Sequence, residues 1–555
     1  MHSVLTSTSN KPNPFAGEET SRQNNDHKII NEMKKNIISY LLYAAVALPL
    51  GGVGGGLLTS CNDWLDILPN NEQVTDDYWK SKEDVEAVIA SGYYYMRQAV
   101  PTIIKWGELR GGALYTQNSS ESKLQDFNIL STNAICDWSA IYKIIGMANS
   151  VILYAPGVKD NTYYDAIRNS HLAEAYFMRA YCYLLLVKNY KEVPLVLSAY
   201  VNDRASFDLA KSSEAEIIAQ IKEDVKTALA TGAAKGTYEE DWATKGRATK
   251  WALYALMADA CLWSEDYDQC IEYCDLILNA KDNFRPAFMS NTNDWYTMFY
   301  PGNSNESIFE LNWDYSQGQT NNFASLFTLS ASSPLRPTAE AVDKMKAETT
   351  SLKEGGVTEE GRMGRMLLAT YVPEGSTLTT WPTSNQYYIW KYYGTDVQDI
   401  TGGARPYQDA NFIIYRVAEV MLMKAQALTM KGESSWAEAV ALVNKIRNRA
   451  GLANYDKSLS ELDELTLLEE ILDQKEMEFM AEAKRWYDLL WLGRIGSSKY
   501  KTQFIAKVLL GNQTTNQQWI LSVLQDSNAW YMPLPQADIE HNKLLEQNPY
   551  YSSTK

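Results

Sequence analysis

The chain has 555 residues and a formal charge of −17, with 68 Asp and Glu against 51 Lys and Arg. So acidic a protein repels nucleic acid and anionic lipid headgroups, which argues against both as partners. Of the four histidines only His171 and His541 lie beyond residue 60, too few for a histidine metal site or for a Ser-His or Cys-His hydrolase.

Residues 1–32 are polar, turn-rich and unpatterned, the composition of a disordered segment. Met33-Lys34-Lys35-Asn36 reads as the start of a signal peptide, so Met33 is expected to be the true start. Lys34 and Lys35 form a positive n-region. Ile37 to Leu50 is almost continuously apolar, and Gly51 to Gly56 leads into Leu58-Thr59-Ser60-Cys61. The run is too short and too glycine-broken for a stable membrane span. It is the pattern of a bacterial lipoprotein signal: cleavage before Cys61 leaves that residue first and lipid-bearing, anchoring the chain to a membrane without crossing it. A secretory signal that happens to end near a cysteine is the alternative. Residues 61–555 are then the mature chain, long enough for one large helical domain or two to three ordinary ones.

From Asp76 onward most segments carry helical periodicity. Trp138–Tyr154 and His171–Asn189 read as helices. Ser213–Thr231 follows, with Ser213 as cap and Glu216 in the capping-box position. Thr249–Trp263 and Tyr267–Asn279 form a helical hairpin joined by Ser264-Glu265-Asp266, and Val417–Lys431 with Ser435–Arg449 form another. Thr466–Trp491 reads as one long amphipathic stretch, with Glu469, Glu470, Glu476 and Glu478 beside Lys475, Lys484 and Arg485 as a solvated, salt-bridged face. The small alanines Ala258, Ala260, Ala425 and Ala427 let paired helices approach closely, as in tetratricopeptide hairpins, over about 138–279 and 413–450. The expected fold class is therefore all-α: a tetratricopeptide-like hairpin scaffold with a loop-rich excursion at 285–409. That excursion is rich in Asn, Ser, Thr, Gly, Pro, Trp and Tyr. Within it only Thr338–Thr349 and Glu360–Ala369 suggest helix, and Asn305–Leu311 a short strand. Long ordered loops on a helical scaffold are frequent ligand sites.

Besides Cys61 there are five cysteines, Cys136, Cys182, Cys261, Cys270 and Cys274, an odd number with no disulfide spacing; they read as small buried hydrophobes. No nucleophile elbow, zinc-binding helix pair or phosphate loop is present, and Gly51–Gly56 lacks the strand–helix context of a dinucleotide loop. Glu310 and Asp314 flank Trp313, but carboxylate pairs occur by chance in so acidic a chain, and the spacing supports no glycosidase assignment. The expectation is a non-enzyme without metal or cofactor.

An ordered set of motifs resembles the SusD/RagB family of outer-membrane lipoproteins from Bacteroidetes. Cys61 is followed by Leu65-Asp66 and Pro69. Further on come Arg179-Ala180-Tyr181, Tyr190 and Val193-Pro194-Leu195, then Gly246-Arg247-Ala248-Thr249 and Tyr415-Arg416-Val417-Ala418-Glu419-Val420. Asn444–Leu452, Arg485-Trp486-Tyr487-Asp488-Leu489, Tyr531-Met532-Pro533-Leu534-Pro535 and Gln547-Asn548-Pro549-Tyr550-Tyr551 complete it. Gly361-Arg362-Met363 departs from the family's usual Asp-Pro-Arg. The resemblance implies a cell-surface protein in the outer membrane that captures glycan and passes it to a SusC-like TonB-dependent barrel, without enzymatic activity. In these motifs Arg416 and Glu419 are expected to pair or bind backbone near a helix end, Arg485 and Asp488 to pair at i and i+3, and Pro533 and Pro535 to stiffen the returning chain.

A neutral sugar calls for exposed aromatic faces flanked by polar side chains. Trp295 and Tyr296, with Asn293 and Asp294 before them, fit that mixture, as do Trp313 and Tyr315 among Asn312, Asp314 and Gln317. Trp106, in Lys105-Trp106-Gly107-Glu108 after the first helix, which is expected to end at Pro101, is a second candidate; Trp381 with Tyr387-Tyr388 is a third. Two other readings stay open: a tetratricopeptide-type protein–protein scaffold or peptide-binding surface lipoprotein, and a surface glycosidase.

Overall fold

The helical periodicity is realised in α1 (Lys82–Glu108), α2 (Ser139–Tyr154), α3 (Asp165–Tyr190), α4 (Glu214–Ala230), the short α5 (Asp241–Gly246), α6 (Lys250–Trp263) and α7 (Tyr267–Leu278). After α8 (Ala339–Ser351) come α9 (Val417–Lys431), α10 (Trp436–Arg449), α11 (Glu464–Glu478) and α12 (Arg485–Ser498). This computed structural model describes residues 78–200, 208–329, 332–351, 365, 370–371, 387–395, 404–512 and 516–552. Met33, Cys61, Trp381 and Gly361-Arg362-Met363 lie outside them.

Local chemistry accounts for the helix starts. Ser213 accepts from the Glu216 N–H while the Glu216 carboxylate accepts from the Ser213 N–H, the capping box expected there. Thr249 caps α6 by accepting from the Ala252 N–H, and Asp266 caps α7 by accepting from the Gln269 N–H. Successive helices pack on one another from α1 through α4, and α7 packs against both α6 and α9. Their shared faces are lined by Ala255, Ala258, Ala425 and Ala427, all fully buried. The fold is all-α with tetratricopeptide-like hairpins, and the five later cysteines are buried and unbridged.

Among the described residues the strands form three two-stranded antiparallel pairs. β1 (Leu114–Thr116) pairs with β3 (Leu335–Pro337), and β4 (Thr370–Tyr371) with β5 (Tyr388–Ile389). β2 (Ser307–Leu311), the strand expected at 305–311, pairs with β6 (Phe412–Arg416). This last ladder clamps the two ends of the segment 312–411, and β6 runs directly into α9.

Two expectations about elements fail. α1 does not end at Pro101: it continues to Glu108, because Ile103, Ile104 and Trp106 are buried and that packing outweighs the roughly 3 kcal/mol that an internal proline costs. The Thr466–Trp491 stretch is not one helix. It breaks at Phe479–Lys484, where Ala481 and Ala483 take positive φ (67° and 60°). The Glu108 carboxylate accepts the Ala483 N–H at 2.8 Å there, and Gly107 lies so close that a Cβ would stand 2.2 Å from the Ala483 carbonyl oxygen.

Candidate functional site

Trp106, Trp295 and Tyr296, singled out above, are core residues. Trp106 is fully buried, its Nε1 donating to the Ile135 carbonyl at 2.7 Å and its ring edge-on to Tyr190. Trp295 is buried with Nε1 donating to Glu478 at 3.3 Å, and the buried Tyr296 donates its hydroxyl to the Trp390 carbonyl. Each indole or phenol finds its polar partner inside the protein and has no ring face left for a ligand, which corrects the expectation for Trp106, Trp295 and Tyr296. Tyr387 and Tyr388 are buried too. Trp313 is 8 % exposed and packs edge-on against Phe323, so it offers a margin and not a platform.

Tyr315 is different. It is 43 % exposed and stacks in parallel on Tyr407, itself 47 % exposed, with ring centroids 3.7 Å apart and 8° between the planes. The inner faces cover each other, leaving outer faces and edges to solvent. Asp314 builds the turn under Tyr315 by accepting from Ser316 N and Oγ at 2.8 and 2.7 Å, and Gly318 closes it at φ +73°, where a side chain would be strained. Gln319 then accepts from the Asp314 N–H at 3.3 Å and from Arg97 Nη1 at 2.8 Å. Arg97 Nη1 also donates to the Asn312 carbonyl at 3.0 Å, and its guanidinium lies 5.9 Å from the ring centroids of both Tyr94 and Trp313. Burial lowers the Arg97 pKa, while the neighbouring Tyr94 works in the opposite direction.

These bonds gather residues from distant segments onto one surface. Asn322 donates to the Gln98 carbonyl, Asn312 Nδ2 to the Trp242 carbonyl at 2.7 Å, and Asn321 N–H to the Gln408 carbonyl at 2.8 Å. Tyr94 on α1 and Trp242 on α5 are both exposed there. The result is a set of apolar ring faces among the amides of Gln98, Gln317, Gln319, Asn322 and Gln408. That arrangement complements a ligand with an apolar face and a rim of hydroxyls. Glu310 and Asp314 have structural tasks: buried Glu310 accepts from Ser307 Oγ, Asn411 Nδ2 and Asn303 N, and burial raises its pKa despite those bonds.

Behind this surface a buried ion network fixes the excursion to the scaffold. Arg416 forks onto Glu482 at 2.9 and 3.1 Å and also donates to Glu306 and Glu478. Arg449 reaches Glu306 at 2.5 Å and Glu478 at 2.6 Å, and Lys391 reaches Glu482 at 2.6 Å. Arg365 stands 3.6 Å from Glu478. Glu476, Glu478, Lys475 and Arg485 are therefore buried and not a solvated face, because the α11–α12 turn folds them inward. The expected local pairs are replaced by others, with Glu419 on Lys484, Arg485 on Glu476 and Asp488 on Lys475, while Arg416 does bind backbone at a helix end, donating to the Glu478 carbonyl that closes α11.

Tyr407, Tyr94 and Trp242 were not found from sequence. Tyr407 stands in Arg405-Pro406-Tyr407-Gln408-Asp409, and this aromatic among turn and amide residues was the legible signal. Tyr94 lies off the apolar face defined by Ile89, Met96 and Val100. Among the described residues no group of His, Cys, Asp and Glu could hold a metal ion, and no helix is long and apolar enough to cross a membrane.

Comparison with known proteins matches the SusD family over residues 294–551, and a family described as starch-binding, associating with outer membrane, over residues 63–262. SusD-like protein P2 of Formosa agariphila is 24 % identical over 535 residues, covering 89 % of this chain and 97 % of that protein. A SusD-like protein of Bacteroides ovatus is 22 % identical over 554 residues, covering 89 % and 96 %. The solved structure of a SusD superfamily protein from Bacteroides vulgatus superposes with a TM-score of 0.67 at 21 % identity, over 85 % of this chain and 99 % of that one. A laminarin-binding SusD-like protein superposes with a TM-score of 0.62 at 18 % identity, over 85 % and 100 %.

Proposed function

The chain belongs to the SusD/RagB family, and from that premise we propose that it is a cell-surface lipoprotein, anchored through Cys61, that captures oligo- or polysaccharide and delivers it to a SusC-like TonB-dependent transporter. The observation that carries the glycan reading is the exposed Tyr315–Tyr407 stack among amide side chains. A pyranose lays its C–H face on such a ring while its hydroxyls exchange water for Asn and Gln partners. The laminarin-binding relative supports the same class of ligand. Capture without turnover is the expected activity.

Affinity gel electrophoresis of the chain from Asn62 against a polysaccharide panel tests this. Retardation by one glycan, with no reducing ends released, is the expected result. Substituting both Tyr315 and Tyr407 by alanine removes about 1–3 kcal/mol of stacking, so binding should weaken roughly tenfold to hundredfold while the melting temperature holds. Unchanged retardation by the double variant would remove this surface as the site.

A second reading, peptide capture or scaffolding by the helical hairpins, is favoured by a groove of about 670 Å³ between α7, α9 and α10, lined by Arg285, Phe288, Met421, Leu442 and Lys445. Under it, capture of ligand is lost on substituting Met421 and Lys445 and not on substituting the tyrosines.

A further inference from the structure

We infer that this surface takes an uncharged glycan and discriminates against uronate-containing or sulfated ones. The inference rests on the glycan reading above and narrows it. Acidic sugars are recognised by arginine and lysine donors that reach the ligand, usually as charge-assisted or bidentate pairs. The described segments that build this surface, residues 94–98, 240–246, 312–325 and 404–411, contain three cations. Each is committed elsewhere. Arg97 is half-buried and holds the loop through the Asn312 carbonyl and Gln319. Lys245 is buried with Nζ on the Ser307 carbonyl at 2.7 Å. Arg405 is 3 % exposed in its side chain, paired with Asp409 and lying 4.9 Å over the Tyr300 ring.

The carboxylates of the same segments are the more open to solvent. Glu240, Asp241 and Asp314 are exposed and Asp409 is partly so. A ligand carboxylate or sulfate laid on the Tyr315–Tyr407 stack meets Asp314, the residue next to Tyr315, and among the described segments that build the surface no cation is free to answer it. In water one like charge at about 6 Å weakens binding only about threefold, but a polymer that carries an acidic group on successive sugars compounds the effect to roughly tenfold or more. Amide side chains carry no charge, and both donate to and accept from hydroxyls, so a neutral sugar meets no such opposition.

Matched glycan pairs that differ only in charge test this: dextran against dextran sulfate, methyl-esterified against de-esterified homogalacturonan, and curdlan against carboxymethyl-curdlan, each with the chain from Asn62. The expected result is retardation by a neutral member, at least tenfold weaker retardation by its charged partner, and no change for the neutral one between 50 and 500 mM salt. Stronger retardation by a charged member, relieved by salt, would overturn the inference and leave the glycan reading standing. Retardation by neither member of any pair, nor by the wider panel above, would overturn both. Retention of the neutral preference by the Tyr315→Ala/Tyr407→Ala variant at full affinity would place the discrimination elsewhere and overturn it for this surface.

Discussion

Arg416 is a fully buried guanidinium with three carboxylate partners, and its removal would leave Glu306, Glu478 and Glu482 in a medium that cannot solvate them. Breaking a buried pair from one side costs about 3–5 kcal/mol. Arg416→Met is therefore expected to destabilise the chain by that amount in chemical unfolding, and a loss under 1 kcal/mol would contradict the role given to the network. The same cluster predicts an acid limit. Desolvation alone would raise the Glu478 pKa, but the Arg449, Arg416 and Arg365 guanidiniums outweigh it and hold the carboxyl well below its usual range. Glu482 is lowered likewise, against its own desolvation, by Arg416 and Lys391. A carboxylate depressed in the folded state contributes fully above its unfolded pKa of about 4.3 and loses that contribution as pH falls further. Thermal melts should thus drop steeply below about pH 4. The aromatic residues teach a related lesson: Trp106, Trp295 and Tyr296 have the composition of ligand platforms, yet a polar partner inside the core claims each of them.

Among elements, the junction of α1 with the α11–α12 turn is the least legible and the most constrained. Gly107 admits the Ala483 carbonyl, and Glu108 caps the N–H groups of Ala483 and Lys484. Burial raises the Glu108 pKa to about 8, against the opposing pull of those two N–H bonds. A carboxyl raised in the folded state binds a proton there that the unfolded chain has lost, so stability declines as pH rises from about 4.3 to about 8. Glu108→Gln keeps the acceptor and removes the titration. The variant should match the parent near pH 5 and melt higher at pH 9; equal melts at both would count against a neutral Glu108. The hairpins α6–α7 and α9–α10 were readable because helical periodicity and small apolar positions are local. The turn at Phe479–Lys484 was not, because alanines at positive φ carry no local signature and are held by a residue 375 positions away.

At the scale of the molecule, the β2–β6 ladder and the buried ion network hold the loop-rich half on the helical scaffold, so the surface proposed to bind glycan is assembled from α1, α5 and two loops. The proposed lipid anchor belongs to this scale too. Cys61→Ala should abolish incorporation of labelled fatty acid and shift the chain out of the membrane fraction; a variant that keeps the label would overturn the lipoprotein reading.

The sequence by itself determined the all-α class, the hairpins, the Ser213 capping box, the short strand at 307–311 and the family. Periodicity and capping act over a few residues, and family motifs survive as ordered words along the chain. Tertiary structure alone decided which aromatics face solvent, and with which partners the buried charges pair. Those outcomes depend on contacts between residues hundreds of positions apart, as between Arg97 and Gln319 or Arg416 and Glu306. A tyrosine such as Tyr315 differs from a buried Tyr296 only in what the rest of the fold lays over it.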